Sequence, residues 1–208
     1  MISGMPTRKL LLIGCGLVVA ITASLMFGWW QVDGPGALER KTRESKLPLP
    51  IGQIDFSLTD HKGNRVQPTD WVGQPLLVFF GFTYCPDICP TTLADITGWL
   101  EALGEDTKRI NVAFITVDPE RDTADAMAAY VENFHPAIVG YTGSPQDIAD
   151  VAAGFKVKYE KIVTGQTYTM DHTAGVFVYD VEGRFVSIID FHEPREYAVP
   201  KIRRALER

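Results

Sequence analysis

A basic stripe, a low-complexity tract and an internal repeat are all missing from this 208-residue chain. Acidic residues outnumber basic ones, 26 to 20, which gives a formal net charge of −6 and a pI near 5.2. With no clustered Lys and Arg interleaved with aromatics, the composition argues against a nucleic-acid partner. Cysteine and histidine are sparse, at three and four residues, so thiol or metal chemistry has few places to reside. The remaining composition, 46% hydrophobic and 22% charged, suits one good domain with an appendage.

Charge is also missing locally. Leu10 to Trp30 runs 21 residues without a charged side chain, matching the ~20 apolar residues that cross a bilayer as a helix. Every face of the segment is apolar, so a core helix is a poor alternative. Trp29 and Trp30 close it as interfacial anchors. The box LIGC at 12–15 resembles a lipoprotein cleavage site ending in Cys15. However, only four apolar residues separate Lys9 from Gly14, well short of the ~7–15 of a leader's apolar stretch. An uncleaved anchor is expected, with Cys15 as one of its small apolar residues. Arg8 and Lys9 abut the span and favour an inside N-terminus, although Arg40, Lys41, Arg43 and Lys46 follow within the counted window. The expected organisation is a cytoplasmic N-terminus at 1–9, an anchor at 10–30, a tether at 31–50 and a domain at 51–208. In a bacterial inner (cytoplasmic) membrane, that domain would face the periplasm.

Within the domain, IDFSLTD and RVQPTDW flank the turn HKGN as a short hairpin. PLLVFFGF is an unbroken apolar run, as a strand buried on both faces requires. TTLADITGWLEAL places Leu93, Ile96, Leu100 and Leu103 at helical spacing. INVAFITVD and AIVGYTG read as further strands. TADAMAAYVENF and SPQDIADVAAGF read as helices capped by Thr123 and Ser144, with Pro145 at a first helical position. HTAGVFVYD and RFVSIIDF form a second hairpin, and the tail PREYAVPKIRRALER is an amphipathic helix interrupted by Pro200. Strands alternating with helices predict an α/β sheet covered on both faces. A hairpin followed by a strand that ends in cysteines fits a thioredoxin-like fold with an N-terminal β-hairpin extension, preceded by a single transmembrane helix.

The cysteines of that turn are Cys85 and Cys89, in GFTYCPDICP. If helical, residues i and i+4 share a face with Cα atoms about 6 Å apart. A helix N-terminus favours thiolates, and this turn leaves the strand at the sheet edge where α/β proteins bind ligands. The spacing permits a disulfide, whose Cα atoms need about 4.4–6.8 Å. It also permits a metal at about 2.3 Å from each sulfur. A purely structural staple is disfavoured, because so short a loop constrains little chain entropy.

Among the histidines, His61 lies in a polar turn and is expected in solvent. His135 ends a helix, where it can cap carbonyls, and His192 follows the last strand at the surface. His172 opens HTAGVFVYD after a polar loop, on the element that faces the cysteine turn in thioredoxin-like folds. A thioredoxin carries a proline there, and this chain has none between Pro145 and Pro194.

GFTYCPDICP, FITVDPERDT and MDHTAG, in that order, closely resemble the Sco/SenC family of membrane-anchored, thioredoxin-like copper proteins over roughly residues 47–208. The resemblance implies that Cys85, Cys89 and His172 bind copper, as Cu(I), Cu(II) or both. It also implies a metallochaperone that delivers copper to, or matures, the dinuclear copper site of cytochrome c oxidase. Its partner would be the copper-bearing oxidase subunit or another copper chaperone. Two thiolates and an imidazole suit Cu(I), whereas a structural zinc would want a fourth ligand. Met170 is a candidate for that fourth place, against a plainer role as a gap-filler in the core.

Asp118 and Asp122 lie on the cysteines' sheet edge. They can orient His172 or face a partner, or they can serve turn formation and helix charge. Asp87 sits between the cysteines, and Asp171 shapes a loop. Two functions compete with the chaperone: an extracytoplasmic thiol–disulfide oxidoreductase using Cys85 and Cys89, and a redox or copper sensor.

Overall fold

The computed structural model describes residues 7–32, 34 and 47–208. Most of the tether expected at 31–50, with Arg40, Lys41, Arg43 and Lys46, lies outside the described residues, as do residues 1–6. The chain divides between Leu47 and Pro48 into two compact units.

The first unit is a helix, α1 (Thr7–Val32). Its 18-residue stretch Ile13–Trp30 is apolar enough to cross a membrane, and all of those side chains are exposed. A 26-residue helix is about 39 Å long at 1.5 Å per residue, more than the ~30 Å of a bilayer core. Thr22 returns its hydroxyl to the Val18 carbonyl at 3.0 Å, which satisfies that hydroxyl in mid-span.

The second unit is built on a seven-stranded sheet. Its strands are β1 (Leu58–Asp60), β2 (Arg65–Val66), β3 (Leu76–Gly81), β4 (Asn111–Thr116), β5 (Ile138–Thr142), β8 (Val176–Tyr179) and β9 (Phe185–Ile189). The spatial order is β2-β1-β5-β4-β3-β8-β9, with β3, β4 and β5 parallel and the outer pairings antiparallel. The helices are α2 (Ile88–Leu103), α3 (Ala124–Val131), α4 (Pro145–Gly154) and α5 (Arg195–Leu206).

Strand β3 is buried at all six residues, and its alternating side chains feed two cores. Phe80 meets Phe155 and Phe177 on one face. Phe79 stacks on Phe114 at 5.8 Å on the other, and Phe114 in turn packs on Tyr130 of α3. The caps follow the sequence: Thr123 accepts the Ala126 N–H, and Ser144 forms a capping box with Asp147.

Four expectations change. The N-terminal hairpin is shorter than IDFSLTD and RVQPTDW suggested, and 3-10 turns occupy Ile51–Gln53 and Pro68–Trp71 on its flanks. Helix α2 starts at Ile88, three residues before the expected Thr91. Helix α5 runs through Pro200 rather than breaking there. The carbonyl that Pro200 leaves without a partner belongs to exposed Glu196, while buried Ala198, Ile202 and Ala205 hold the helix to the core. Finally, the polar loop before His172 is a β-hairpin, β6 (Tyr159–Thr164) paired with β7 (Thr167–His172) as a separate two-stranded sheet. His172 therefore closes a hairpin strand instead of opening β8.

Candidate metal centre

Cys85 precedes helix α2 and Cys89 is its second residue, after the N-cap position Asp87, whose side chain makes no capping bond. The Cys89 N–H, one of the orphan donors at a helix start, points to Cys85 Sγ at 3.4 Å. Both cysteines are free thiols. Cys89 is fully buried, whereas Cys85 is half-exposed. A hydrogen bond from the Cys89 thiol holds Cys85 down at about 5, with help from the Asp87 and Cys89 backbone N–H groups and against the effect of its own burial. The same shared proton pushes Cys89 far up, and burial adds to that. Cys85 is thus the thiolate and Cys89 the thiol.

His172 meets this pair from the hairpin. Its Nε2 lies 3.7 Å from Cys89 Sγ, and its Nδ1 lies 3.1 Å from the Thr173 carbonyl oxygen. A carbonyl only accepts, so Nδ1 donates there, and in the neutral ring Nε2 is the acceptor that faces the sulfur. Phe79 and Phe82 set the ring's plane by edge contacts at 6.4 and 6.0 Å. An ion about 2.3 Å from sulfur and about 2.0 Å from nitrogen, at a trigonal angle, separates the two ligand atoms by about 3.7 Å. The observed sulfur–nitrogen distance already fits that bite. Among the described residues, no three His, Cys, Asp or Glu side chains converge tightly enough to hold an ion as they stand. Cys85 and Cys89 are turned to each other, and breaking their hydrogen bond frees both sulfurs toward the imidazole.

Gly81 makes room for the buried sulfur. A Cβ there would fall 2.8 Å from Cys89 Sγ and 2.8 Å from the Phe114 ring, so only glycine lets α2 seat its thiol on the strand end.

Asp118 and Asp122 are buried, which removes the partner-facing role. Asp122 accepts from Thr83 N–H at 3.0 Å, Thr83 hydroxyl at 2.5 Å and Thr116 hydroxyl at 2.6 Å. It thereby ties the cysteine turn to the end of β4. Asp118 accepts from Arg121 Nε and, at 3.0 Å, from the Tyr168 hydroxyl of β7. Neither carboxylate reaches His172; each grips the segment that carries a site residue.

The other candidates lie apart from the pair. His61 is bound rather than merely solvated, because its Nδ1 accepts the Gly140 N–H at 3.0 Å. His135 accepts the Ala137 N–H at 3.1 Å and caps no carbonyl through that nitrogen. His192 is at the surface, 3.7 Å from Asp95. Asp87 and Asp171 are exposed, and Asp171 sits in β7 opposite Glu160 rather than in a loop. Met170 packs against the hydrophobic core, and Cys15 is exposed in the apolar stretch of α1. The roles of Gly81, Arg121 and Tyr168 were missed in the sequence. The alternation of TYTMDH after the turn at Gly165-Gln166 was the available signal for the hairpin.

A thioredoxin-like sheet that sets a two-cysteine helix start against a hairpin histidine defines a class of thiol–imidazole proteins distinct from simple dithiol enzymes. The chain belongs to the SCO1/SenC family, whose model matches residues 46–207. It is 35% identical over 185 residues to the zebrafish (Danio rerio) mitochondrial protein SCO2 homolog, covering 83% of this chain and 66% of that one. It therefore spans just under two thirds of that relative's length. Among solved structures it is similar to Bradyrhizobium japonicum ScoI with copper bound, at 42% identity and TM-score 0.68, covering 73% of this chain and 97% of that one. BsSco shares the fold at 20% identity and TM-score 0.61, covering 77% of this chain and 95% of that one.

Proposed function

We propose that this chain is a membrane-anchored copper carrier, with copper as cargo held by Cys85, Cys89 and His172. The observation that carries the reading is His172 Nε2 at 3.7 Å from Cys89 Sγ, which a simple dithiol enzyme does not require. Support also comes from ScoI, whose structure holds copper. Two soft sulfurs and an imidazole suit Cu(I) and accommodate Cu(II). Cys85 is ready as a thiolate, and Cys89 must give up its proton, so loading releases one proton. Cys85 is flanked by exposed Tyr84, Pro86, Asp87 and Ile88, so a recipient can approach it directly. BsSco is a member of the Sco family of cytochrome c oxidase assembly proteins. By that likeness, the recipient is the copper-bearing oxidase subunit or another chaperone. In the proposed arrangement, residues 10–30 anchor the chain in the inner membrane, 31–50 tether it, and 51–208 work in the periplasm.

Anaerobic Cu(I) titration of the full chain in detergent tests the carrier. The wild type should bind one equivalent, and His172→Ala should weaken binding by roughly 10-fold or more. Unchanged affinity and stoichiometry in the variant would sink the three-ligand site. An alkaline phosphatase fusion after Arg208 should be active if the domain faces outward.

A second reading is favoured by one observation, the half-exposed Cys85 thiolate beside buried Cys89. That is the arrangement of an attacking and a resolving thiol in disulfide exchange. Fast turnover of a protein disulfide by His172→Ala would favour this reductase over the carrier.

A further inference from the structure

The β6–β7 hairpin carries His172 yet shares no ladder with the main sheet. Its grip on the cysteine side comes from the segment after β4. Lys161 of β6 meets Glu120 at 2.6 Å, and Tyr168 of β7 meets Asp118. Arg121 stands at the crossing. Its guanidinium carbon lies 3.8 Å from the Tyr168 ring centroid and 4.6 Å from that of Tyr84. Phe82, whose ring edges His172, is 5.9 Å away. Tyr84 adjoins Cys85, and Tyr168 is four residues before His172 on the same strand. Nε is paired with Asp118 and Nη1 donates to the Tyr168 carbonyl at 3.1 Å, but Nη2 is buried with no partner.

A buried N–H left unpaired is costly, so hydrogen bonding alone does not account for the guanidinium's placement. What the position does satisfy is contact with the Tyr84 and Tyr168 rings together, which a guanidinium spans better than an ammonium does.

We propose that Arg121 is a positioning residue that joins the Tyr84 and Tyr168 rings and thereby sets the distance from the His172 imidazole to the cysteine sulfurs. This rests on the copper-carrier reading. Losing Arg121 frees the hairpin to drift and removes the histidine from the site, while the cysteine pair keeps its place through Asp122 and Thr83.

The test compares the full chain with Arg121→Met, Arg121→Lys, His172→Ala and the Arg121→Met/His172→Ala double variant. Cu(I) affinity and the Cu(II) electron paramagnetic resonance signal are measured for each. Arg121→Met should weaken copper by roughly 10-fold, as loss of a ligand-orienting partner does, and shift the signal toward that of His172→Ala. Arg121→Lys should fall between Arg121→Met and the wild type. The double variant should match His172→Ala within about twofold, because the two changes act through one group. Fully additive losses would overturn the proposal. Amide hydrogen exchange without copper supplies a separate arm: residues 167–172 should exchange faster in Arg121→Met, with 76–81 unchanged. Equal protection in the hairpin, or loss across both segments, would also overturn it. Should the wild type bind copper no better than His172→Ala, the carrier reading fails, and the exchange arm still decides whether Arg121 holds the hairpin.

Discussion

Asp122 accepts two hydrogen bonds from Thr83, one from the backbone N–H at 3.0 Å and one from the hydroxyl at 2.5 Å. A third, from Thr116, fixes the carboxylate to the end of β4, so the turn bearing Cys85 is pinned two residues before the thiol. This carboxylate stabilises the cysteine side of the site without touching a sulfur.

Asp122→Ala should therefore cost about 3 kcal/mol in urea unfolding, since one buried donor and two partly buried ones lose their acceptor at roughly 1 kcal/mol each. Burial pushes the Asp122 carboxyl up, against the hydrogen bonds from Thr116 and Thr83. A raised carboxyl binds its proton more tightly folded than unfolded. Its contribution to stability is thus full below the unfolded value of 3.8 and is lost as pH rises through the folded value. Asp122→Asn should remove that part of the pH slope. An unaltered slope between pH 3 and 7 would contradict the assignment.

With Cys15 replaced by alanine, so that only the pair is counted, alkylation of the reduced chain should show one fast thiol, Cys85, with a midpoint at about pH 5, while Cys89 stays unreactive at neutral pH. Cys89→Ala should move the Cys85 midpoint upward, because the hydrogen bond from Cys89 is the main cause of the depression. The depressed thiol stabilises the fold above its unfolded pKa, and this is lost as pH falls through about 5. Two equally fast thiols at pH 7 would rule out the proton-sharing pair.

Gly81→Ala places a methyl group 2.8 Å from Cys89 Sγ. The expected loss is about 1–3 kcal/mol from overpacking, read as a lower urea midpoint. Copper binding should weaken with it, since Cys89 must shift. Wild-type stability together with wild-type affinity would show that the strand end has slack.

Pro200→Ala should raise stability by about 1–3 kcal/mol, because alanine restores an N–H to the Glu196 carbonyl inside α5. Thermal unfolding checks it. A lower melting temperature would mean that the proline's stiffening of the unfolded chain outweighs the missing bond.

Local patterns carried much of the fold. PLLVFF reads as a buried strand because its run is too short for a membrane and too uniformly apolar for an amphipathic helix, and β3 is buried throughout. Ser144-Pro145 marks a helix start by capping chemistry alone, as α4 shows. The hairpin at 159–172 was less legible, because β6 is exposed along nearly its whole length and only the short β7 alternates. The aspartates were ambiguous for a different reason. A carboxylate in DPERD looks the same whether it faces water or three buried donors.

The sequence by itself determined the apolar N-terminal stretch, the order of the main-sheet strands and the helices, and the pairing of Cys85 with Cys89 at a helix start. These depend on neighbours within a few residues, where periodicity and capping act. Only the tertiary structure decided that His172 Nε2 stands 3.7 Å from Cys89 Sγ, that Asp118 and Asp122 are buried anchors, and that Arg121 lies between Tyr84 and Tyr168. Those facts join segments 37 to 83 residues apart in the chain, and long-range packing alone brings them together.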